Sequence, residues 1–362
     1  MLEEKQRGSV QARIFAYDLI RSVAICSVVL CHAVEFVYAG TAGGFAYSLL
    51  HALGRIGVPL FLFLTGALLI KRDFTDESSI KAFYKKNLFT LFVSCELWII
   101  IYAIYFGVLT SFNRDLFVQY LKWATFQELV PLTHWWYMPF IIVTYVTLPF
   151  LSRMVSGISF KTFVFPGMLL LVLTFILPTY NGLYANAIGR GPWDTVLDAT
   201  FLGRYSIFYL VIGYFILEKK ELKRVPLRLL LILGSISLAG CVHAGLRWDL
   251  LWYDSFWVLL FSIVVCELLF RVCCSTASAS FFNARRGPSR LVTITARMSF
   301  GVFLVHTLLL PVVGRVPYPF GSHAAAALLY GVVLLLLSLL VVIVIFWMLR
   351  KTPKLRALIV HA

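Results

Sequence analysis

Arg21 and His32 lie eleven residues apart in one long apolar stretch, residues 14–38. Each ionisable group held inside a membrane span costs roughly 2.5–3.5 kcal/mol on insertion scales, so a span that keeps several is expected to use them. On a helix an eleven-residue step returns to nearly the same face, about 16 Å along the axis. Asp18 precedes Arg21 by three residues and Glu35 follows His32 by three, both close-neighbour spacings. All four fall on one stripe about 100° wide that must face protein or a cavity rather than lipid. The chemistry this suits is proton abstraction beside an electrophile. Histidine titrates near neutrality and takes a hydroxyl proton as general base. Glu35 would fix its tautomer, as a carboxylate does in a catalytic triad, and arginine offers a two-pronged donor to phosphate or to a carbonyl oxygen.

Other polar residues fall in apolar stretches too. His51 and Arg55 share a face of the second stretch, His134, Trp136 and Tyr137 open the fourth, Arg204 and Tyr205 open the sixth, and Ser299 and His306 lie in the ninth. Alternating the spans across a bilayer gathers most of these in one half of the membrane, as a chamber, with Arg21 marking a path from the other half. Each residue also has a plainer reading. A buried histidine is often a hydrogen-bonded structural group. Asp18 and Arg21 suit an ion pair at a helix start, and Arg55 could snorkel or pair with a carboxylate such as Glu96. No Gly-x-Ser-x-Gly elbow occurs, which counts against a seryl nucleophile. The seven cysteines lie mostly in apolar stretches without metal-ligand spacing to histidine. They read as packing residues, so neither a metal nor a disulfide framework is expected.

The elements that must position these residues are membrane helices. Of 362 residues, 60% are apolar and 14% charged, against about 45–50% and about 25% in soluble domains. The expected fold is all-α, a polytopic integral membrane protein forming one membrane domain over residues 1–362. It has about ten transmembrane helices, near 14–38, 45–70, 83–110, 134–152, 162–178, 200–217, 228–245, 250–272, 291–314 and 323–349. The loops test that count. Of the 32 lysines and arginines, 24 fall on the side of the termini, 6 on the other, and Arg21 and Arg55 within spans. The positive-inside rule then places both termini in the cytoplasm. It also explains the net charge of +15 through topology and membrane-lipid headgroups, with no nucleic acid as partner. The first apolar run is too long, and too charged at Asp18 and Arg21, for a cleavable signal. No internal repeat is evident. The longest loops are 111–133 and 179–199, the latter with turn signals at Asn181–Gly182 and Gly189–Pro192.

At this point the residues resemble a known family. YDLIRSVAICSVVLCH resembles the first span of membrane acyltransferase family 3, an arginine, ten residues, then histidine, matched by Arg21 and His32. GRIGVPLFLFLTGALLI resembles its second span, with Thr65–Gly66 for Ser-Gly. HWWYMPFIIVTYVTLPFL resembles its H-x-WY segment through His134, Trp136 and Tyr137. YSIFYLVIGYFI and SFGVFLVH, the latter ending at His306, resemble two later spans. Within the family the chain is similar to stand-alone surface-polysaccharide O-acetyltransferases, the type that acts on enterobacterial common antigen. The resemblance implies an inner-membrane enzyme that takes an acyl group, usually acetyl, from cytoplasmic acyl-CoA. It would place the group on a hydroxyl of a cell-surface or lipid-linked glycan. His32 would inherit the essential histidine's role and Arg21 that of the donor-side arginine. Two departures stand out. Where many members carry Arg-x-x-Arg, this chain reads YKKNLFT, with Lys85, Lys86 and Asn87, and lysine lacks the bidentate fork. No soluble esterase-like domain is appended.

The expected function is therefore an acyltransferase with acyl-CoA, most simply acetyl-CoA, as co-substrate and no bound cofactor. Its catalytic pair is His32 and Glu35. Arg21, Asp18, Lys85 and Lys86 would serve the donor, and Arg55, His134, Trp136, Tyr137 and His306 the acceptor. His32 either deprotonates the acceptor hydroxyl or carries the acyl group covalently. The alternative is a polytopic transporter or glycan flippase, which would use the same intramembrane polar residues without acyl transfer. A third reading is a structural or sensory membrane component.

Overall fold

The structure, a computed structural model, describes residues 2–41, 43–188, 205–248, 251–274, 286–317 and 321–360. Those residues form helices and connecting turns, without a strand among them. In chain order the helices are α1 (Leu2–Val37), α2 (Phe45–Arg55), α3 (Gly57–Leu69), α4 (Glu77–Phe83), α5 (Phe89–Leu109) and α6 (Arg114–Ala124). There follow α7 (Tyr137–Val155), α8 (Phe160–Leu171), α9 (Leu177–Ile188) and α10 (Tyr205–Gly213). The last five are α11 (Leu227–Trp248), α12 (Phe256–Cys274), α13 (Arg286–Val313), α14 (His323–Met348) and α15 (Pro353–Val360). Wider π turns at Tyr84–Leu88, Val172–Ile176 and Tyr214–Glu218 join or extend these rods.

Nine helical stretches among the described residues are long and apolar enough to cross a membrane. The expected sixth span is represented by the shorter apolar Tyr205–Glu218, and residues 200–204 lie outside the described ones. Burial is arranged for a lipid solvent. On α14 the buried stripe includes small or polar Ala327, Gly331 and Ser338, while Leu328, Val332, Leu336 and Leu340 are exposed. A backbone with every polar group bonded inside the helix can present such a face to hydrocarbon. The chain is a polytopic membrane protein.

The first span is the axis of the bundle. α1 packs against α2, α3, α12, α13 and α14, and Ala16, Ile20, Ala24, Ile25 and Ala33 on it are fully buried. Small residues set the close approaches, as they do where hydrophobicity cannot drive helices together. At Gly54 a Cβ would stand 2.7 Å from the Cys31 Cα, so glycine brings α2 onto α1 beside the polar residues of both. At Gly66 a Cβ would run into the Leu210 carbonyl, so glycine also lets α3 cross α10.

The second span is interrupted. α2 ends at Arg55 and α3 begins at Gly57, with Pro59 just inside α3. Proline has no N–H to give the carbonyl four residues earlier, and its ring crowds that carbonyl. The discontinuity therefore falls at Arg55, a residue whose side chain carries chemistry. Loops at the basic end are tied down by arginine. From α7, Arg153 donates to the carbonyls of Phe74 and Thr75, each at 2.6 Å, and Arg271 of α12 donates to Glu267 at 2.5 Å and to the Val225 carbonyl at 2.8 Å. The short α15 folds back against α5, α13 and α14, where Trp98 Nε1 donates to the Ile359 carbonyl at 3.0 Å.

Candidate active site

α1 presents His32 and Glu35 one turn apart, and their side chains meet. His32 Nδ1 stands 2.9 Å from Glu35 Oε2. An ionised carboxylate only accepts, so Nδ1 carries the proton and Nε2 keeps a bare lone pair. Thr133, from the loop before α7, places its hydroxyl 3.3 Å from the same Nδ1. Glu35 is shared. Arg55 Nη2, at the end of α2, donates to its Oε1 at 2.9 Å, and Arg55 Nε donates to His51 Nε2 at 3.0 Å. Because a guanidinium can only donate, His51 Nε2 is an acceptor there, and its 3.3 Å approach to Glu35 is a contact between two acceptors. The Arg55 guanidinium lies 5.4 Å from the Tyr253 ring centre and 5.5 Å from that of Trp252, and Arg55 is buried. Arg55 thus pairs with Glu35, and the buried Glu96 Oε1 is left without a hydrogen-bond partner. Cys31, Glu35 and His51 bring ligand-type atoms within 4.8 Å of one another. A dication there would have to displace the guanidinium that already occupies both the carboxylate and the imidazole.

Two more histidines border this layer. The His306 ring centre, on α13, is 5.3 Å from that of His32 and 5.0 Å from that of His134. His306 Nδ1 donates to the Phe303 carbonyl at 2.7 Å, which fixes its tautomer and leaves Nε2 buried without a partner. His134 is different, because both its nitrogens are engaged. The Tyr102 hydroxyl donates to the Leu304 carbonyl at 2.7 Å, so His134 Nε2–H donates to that hydroxyl at 3.4 Å. His134 Nδ1 in turn accepts from Thr307 at 2.9 Å. His134 is a satisfied, buried support for α13. Trp136 stacks toward Tyr253 with ring centres 5.5 Å apart, and Tyr137 packs on Phe303 at 5.5 Å.

A cavity of about 360 Å³ leads toward this layer from the basic end. Arg21, Lys86, Asn87 and Arg297 line it toward the basic end, and Val28, Tyr137 and Phe303 line it toward the histidines. Val28 is one turn, about 6 Å, short of His32 on α1. Thr65, Thr90, Tyr145 and Ser299 add polar groups along the wall. The lining holds three cations and no carboxylate. Asn87 is held by Arg72 Nη1 at 3.3 Å. Asp18 lies just outside the lining, hydrogen-bonded to Thr293 and close to both Arg21 and Arg297.

The structure therefore gathers Arg21, Lys86 and Tyr137 on the cavity wall and His32, Glu35, Arg55 and His306 in the neighbouring layer. Lys85 is directed elsewhere. It heads a separate apolar groove with Phe89, Phe92 and Val146, because a π turn swings successive residues off the 3.6-residue register. Arg204 lies outside the described residues. Four contributors are not legible in the sequence as site residues. Arg297, nine residues before His306, reads there only as a topological charge. Thr133, Trp252 and Tyr253 come from irregular backbone, where periodicity carries no signal.

A family model described as an acyltransferase domain matches residues 14–347. No curated protein matches the chain, and no solved structure does. The matched span takes in every residue of the histidine layer and of the cavity, and on it the chain belongs to the acyltransferase 3 family.

Proposed function

We propose that the protein is an O-acetyltransferase of the cell inner membrane that moves an acetyl group from cytoplasmic acetyl-CoA to a hydroxyl of a surface or lipid-linked glycan. The observation that carries this reading is the cationic cavity whose lining reaches Val28, one helical turn from an imidazole with a bare Nε2. A CoA ester is a polyanion with a narrow arm. Arg21, Lys86 and Arg297 suit its phosphates at the mouth, and the Arg21 and Arg297 forks supply the bidentate geometry that lysine lacks. About 360 Å³ is at the small end of ligand sites, which run from about 300 to 1,000 Å³. That volume favours a pantetheine arm ending in a short acyl group and leaves the nucleotide outside.

Glu35 is partly exposed, the rings of Trp252 and Tyr253 flank Arg55, and Trp136 packs against Tyr253. Flat rings beside charged hydrogen-bonding groups suit a sugar. In this reading His32 Nε2 acts either on an acceptor hydroxyl or on the thioester carbon.

The test is labelled acetyl-CoA given to membranes bearing wild-type protein or His32→Ala, followed by mass spectrometry of their glycans. Loss of a positioned base is expected to slow transfer by about 10²–10⁴-fold. Undiminished acetylation by His32→Ala at equal membrane abundance would overturn the reading. The broken second span at Arg55 is the feature a transporter would also use. Movement of an unmodified glycan without release of CoA would favour that alternative.

A further inference from the structure

A direct transfer needs one imidazole, yet the layer contains two with free lone pairs. His32 Nδ1 is bound to Glu35 at 2.9 Å, and no hydrogen bond engages its Nε2 among the described residues. His306 Nδ1 is bound to the Phe303 carbonyl at 2.7 Å and to the Val302 carbonyl at 3.1 Å. Its Nε2 is buried and unpartnered, on a side chain with 0% exposure. A buried acceptor left open costs about 1–3 kcal/mol, and such exceptions in a native structure call for an explanation. The contrast is His134, equally buried, with both nitrogens satisfied. The cavity lining includes Val28, Tyr137 and Phe303 but neither histidine, and Glu35 beside His32 is partly exposed.

Resting on the acetyltransferase reading above, we propose that the acyl group is carried on His32 Nε2 and that His306 Nε2 is the general base of the second half of the reaction. In the first step His32 Nε2 attacks the thioester carbon. A C–N bond forms, the C–S bond breaks, and the electron pair leaves on the CoA thiolate. That thiolate needs no acid, because an ordinary thiol ionises not far above neutrality. The acyl-imidazolium passes its Nδ1 proton to Glu35, giving a neutral acyl-imidazole. In the second step the acceptor hydroxyl attacks the acyl carbon and its proton goes to His306 Nε2. The C–N bond then breaks, its pair returns to His32 Nε2, and Glu35 returns the proton to Nδ1. His306 releases its proton to solvent, balancing the one the thiolate takes up. His32 cannot be this second base while it holds the acyl group. His51 also has a nitrogen without a partner, Nδ1, but its Nε2 accepts from Arg55, so Nδ1 carries the proton and His306 is the neighbouring imidazole with an open lone pair.

The experiment uses the full chain in lipid nanodiscs with [14C]acetyl-CoA and no glycan, so that water is the only acceptor. Wild type should release about one CoA per protein in a fast phase, retain hydroxylamine-labile label, then turn over slowly. His306→Asn keeps an N–H for the Phe303 carbonyl and deletes the ε nitrogen. It should give the same fast phase and retain the label at least about 100-fold longer. Added imidazole should shorten that retention in His306→Ala, which a purely structural role would not predict. Two results overturn the proposal. One is no fast phase in wild type that still acetylates glycans, meaning direct transfer. The other is loss of the fast phase and of turnover together in both folded His306 variants, without imidazole rescue. If wild type consumes no acetyl-CoA and acetylates nothing, the acetyltransferase reading itself has failed.

Discussion

Glu35 holds several donors at once. It accepts from His32 and from Arg55, each at 2.9 Å, and from the Cys31 thiol at 3.6 Å. A carboxylate can do this because it offers about four lone-pair sites and no proton. In Glu35→Gln the amide keeps the shape but turns an N–H toward one of its two strong donors. Either Arg55 loses its counter-charge or His32 loses the acceptor that fixes its tautomer. With the tautomer reversed, Nε2 carries the proton and cannot attack or deprotonate anything. Acetyl transfer should fall by about 10²–10⁴-fold at unchanged membrane abundance, on the labelled-glycan assay. A Gln variant as fast as wild type would remove Glu35 from the mechanism. The pairing of His32 with Glu35 was legible in the sequence because a three-residue step on a helix dictates it. Arg297 was harder to see, since a cation near a span end already has a topological explanation. Lys85 and Lys86 were inseparable until the π turn sent one to a lipid-side groove and the other to the cavity.

At the scale of elements, what could be read in advance was length and polarity, which fix where helices lie in lipid. Three things could not. The break between α2 and α3 depends on how Pro59 and the contact with α1 share the strain. The π turns depend on tertiary packing, and α15 is too short to carry a periodic signal. The crossing of α3 over α10 is not legible either, although the Gly66 that permits it belongs to the Thr65–Gly66 motif of the second span. It is also the crossing most exposed to a single change. At Gly66 even one methyl group would overlap the Leu210 carbonyl, and backbone cannot swing aside as a side chain can. Gly66→Ala should therefore push α3 away from α10. Overpacking of this kind costs about 1–3 kcal/mol, occasionally more. Thermal unfolding in detergent should move down by several degrees, with a parallel loss of acetyl-CoA consumption because Thr65, next in line, faces the cavity. An unchanged melting profile would mean that the two helices have room to separate.

For the molecule as a whole the decisive property is asymmetry across the bilayer. The cavity is lined at one end by Arg21, Lys86 and Arg297, and the topology expected from the sequence puts 24 of the 32 basic residues on the side of the termini. The positive-inside rule concerns how a chain inserts, whereas a cavity mouth concerns what it binds. The same surplus of cations would serve both, retaining the loops in the cytoplasm and collecting a polyanion found there. Acetyl-CoA cannot cross lipid, so the two roles can be tested together. In sealed inverted vesicles the cytoplasmic face is outside, and external labelled acetyl-CoA should be consumed at once. In right-side-out vesicles of the same protein, consumption should be at least about tenfold slower until the membrane is permeabilised. The association step should weaken with salt in the inverted vesicles, because the mouth is exposed and charges about 10 Å apart are largely screened at 0.1 M. Reaction from the outside of intact right-side-out vesicles would reverse the expected orientation of every span and place His32 and the aromatics proposed for the sugar on the wrong side of the membrane. The single chain would then have to draw donor and acceptor from exchanged compartments, and a cationic mouth facing a space without CoA would have no ligand to explain it.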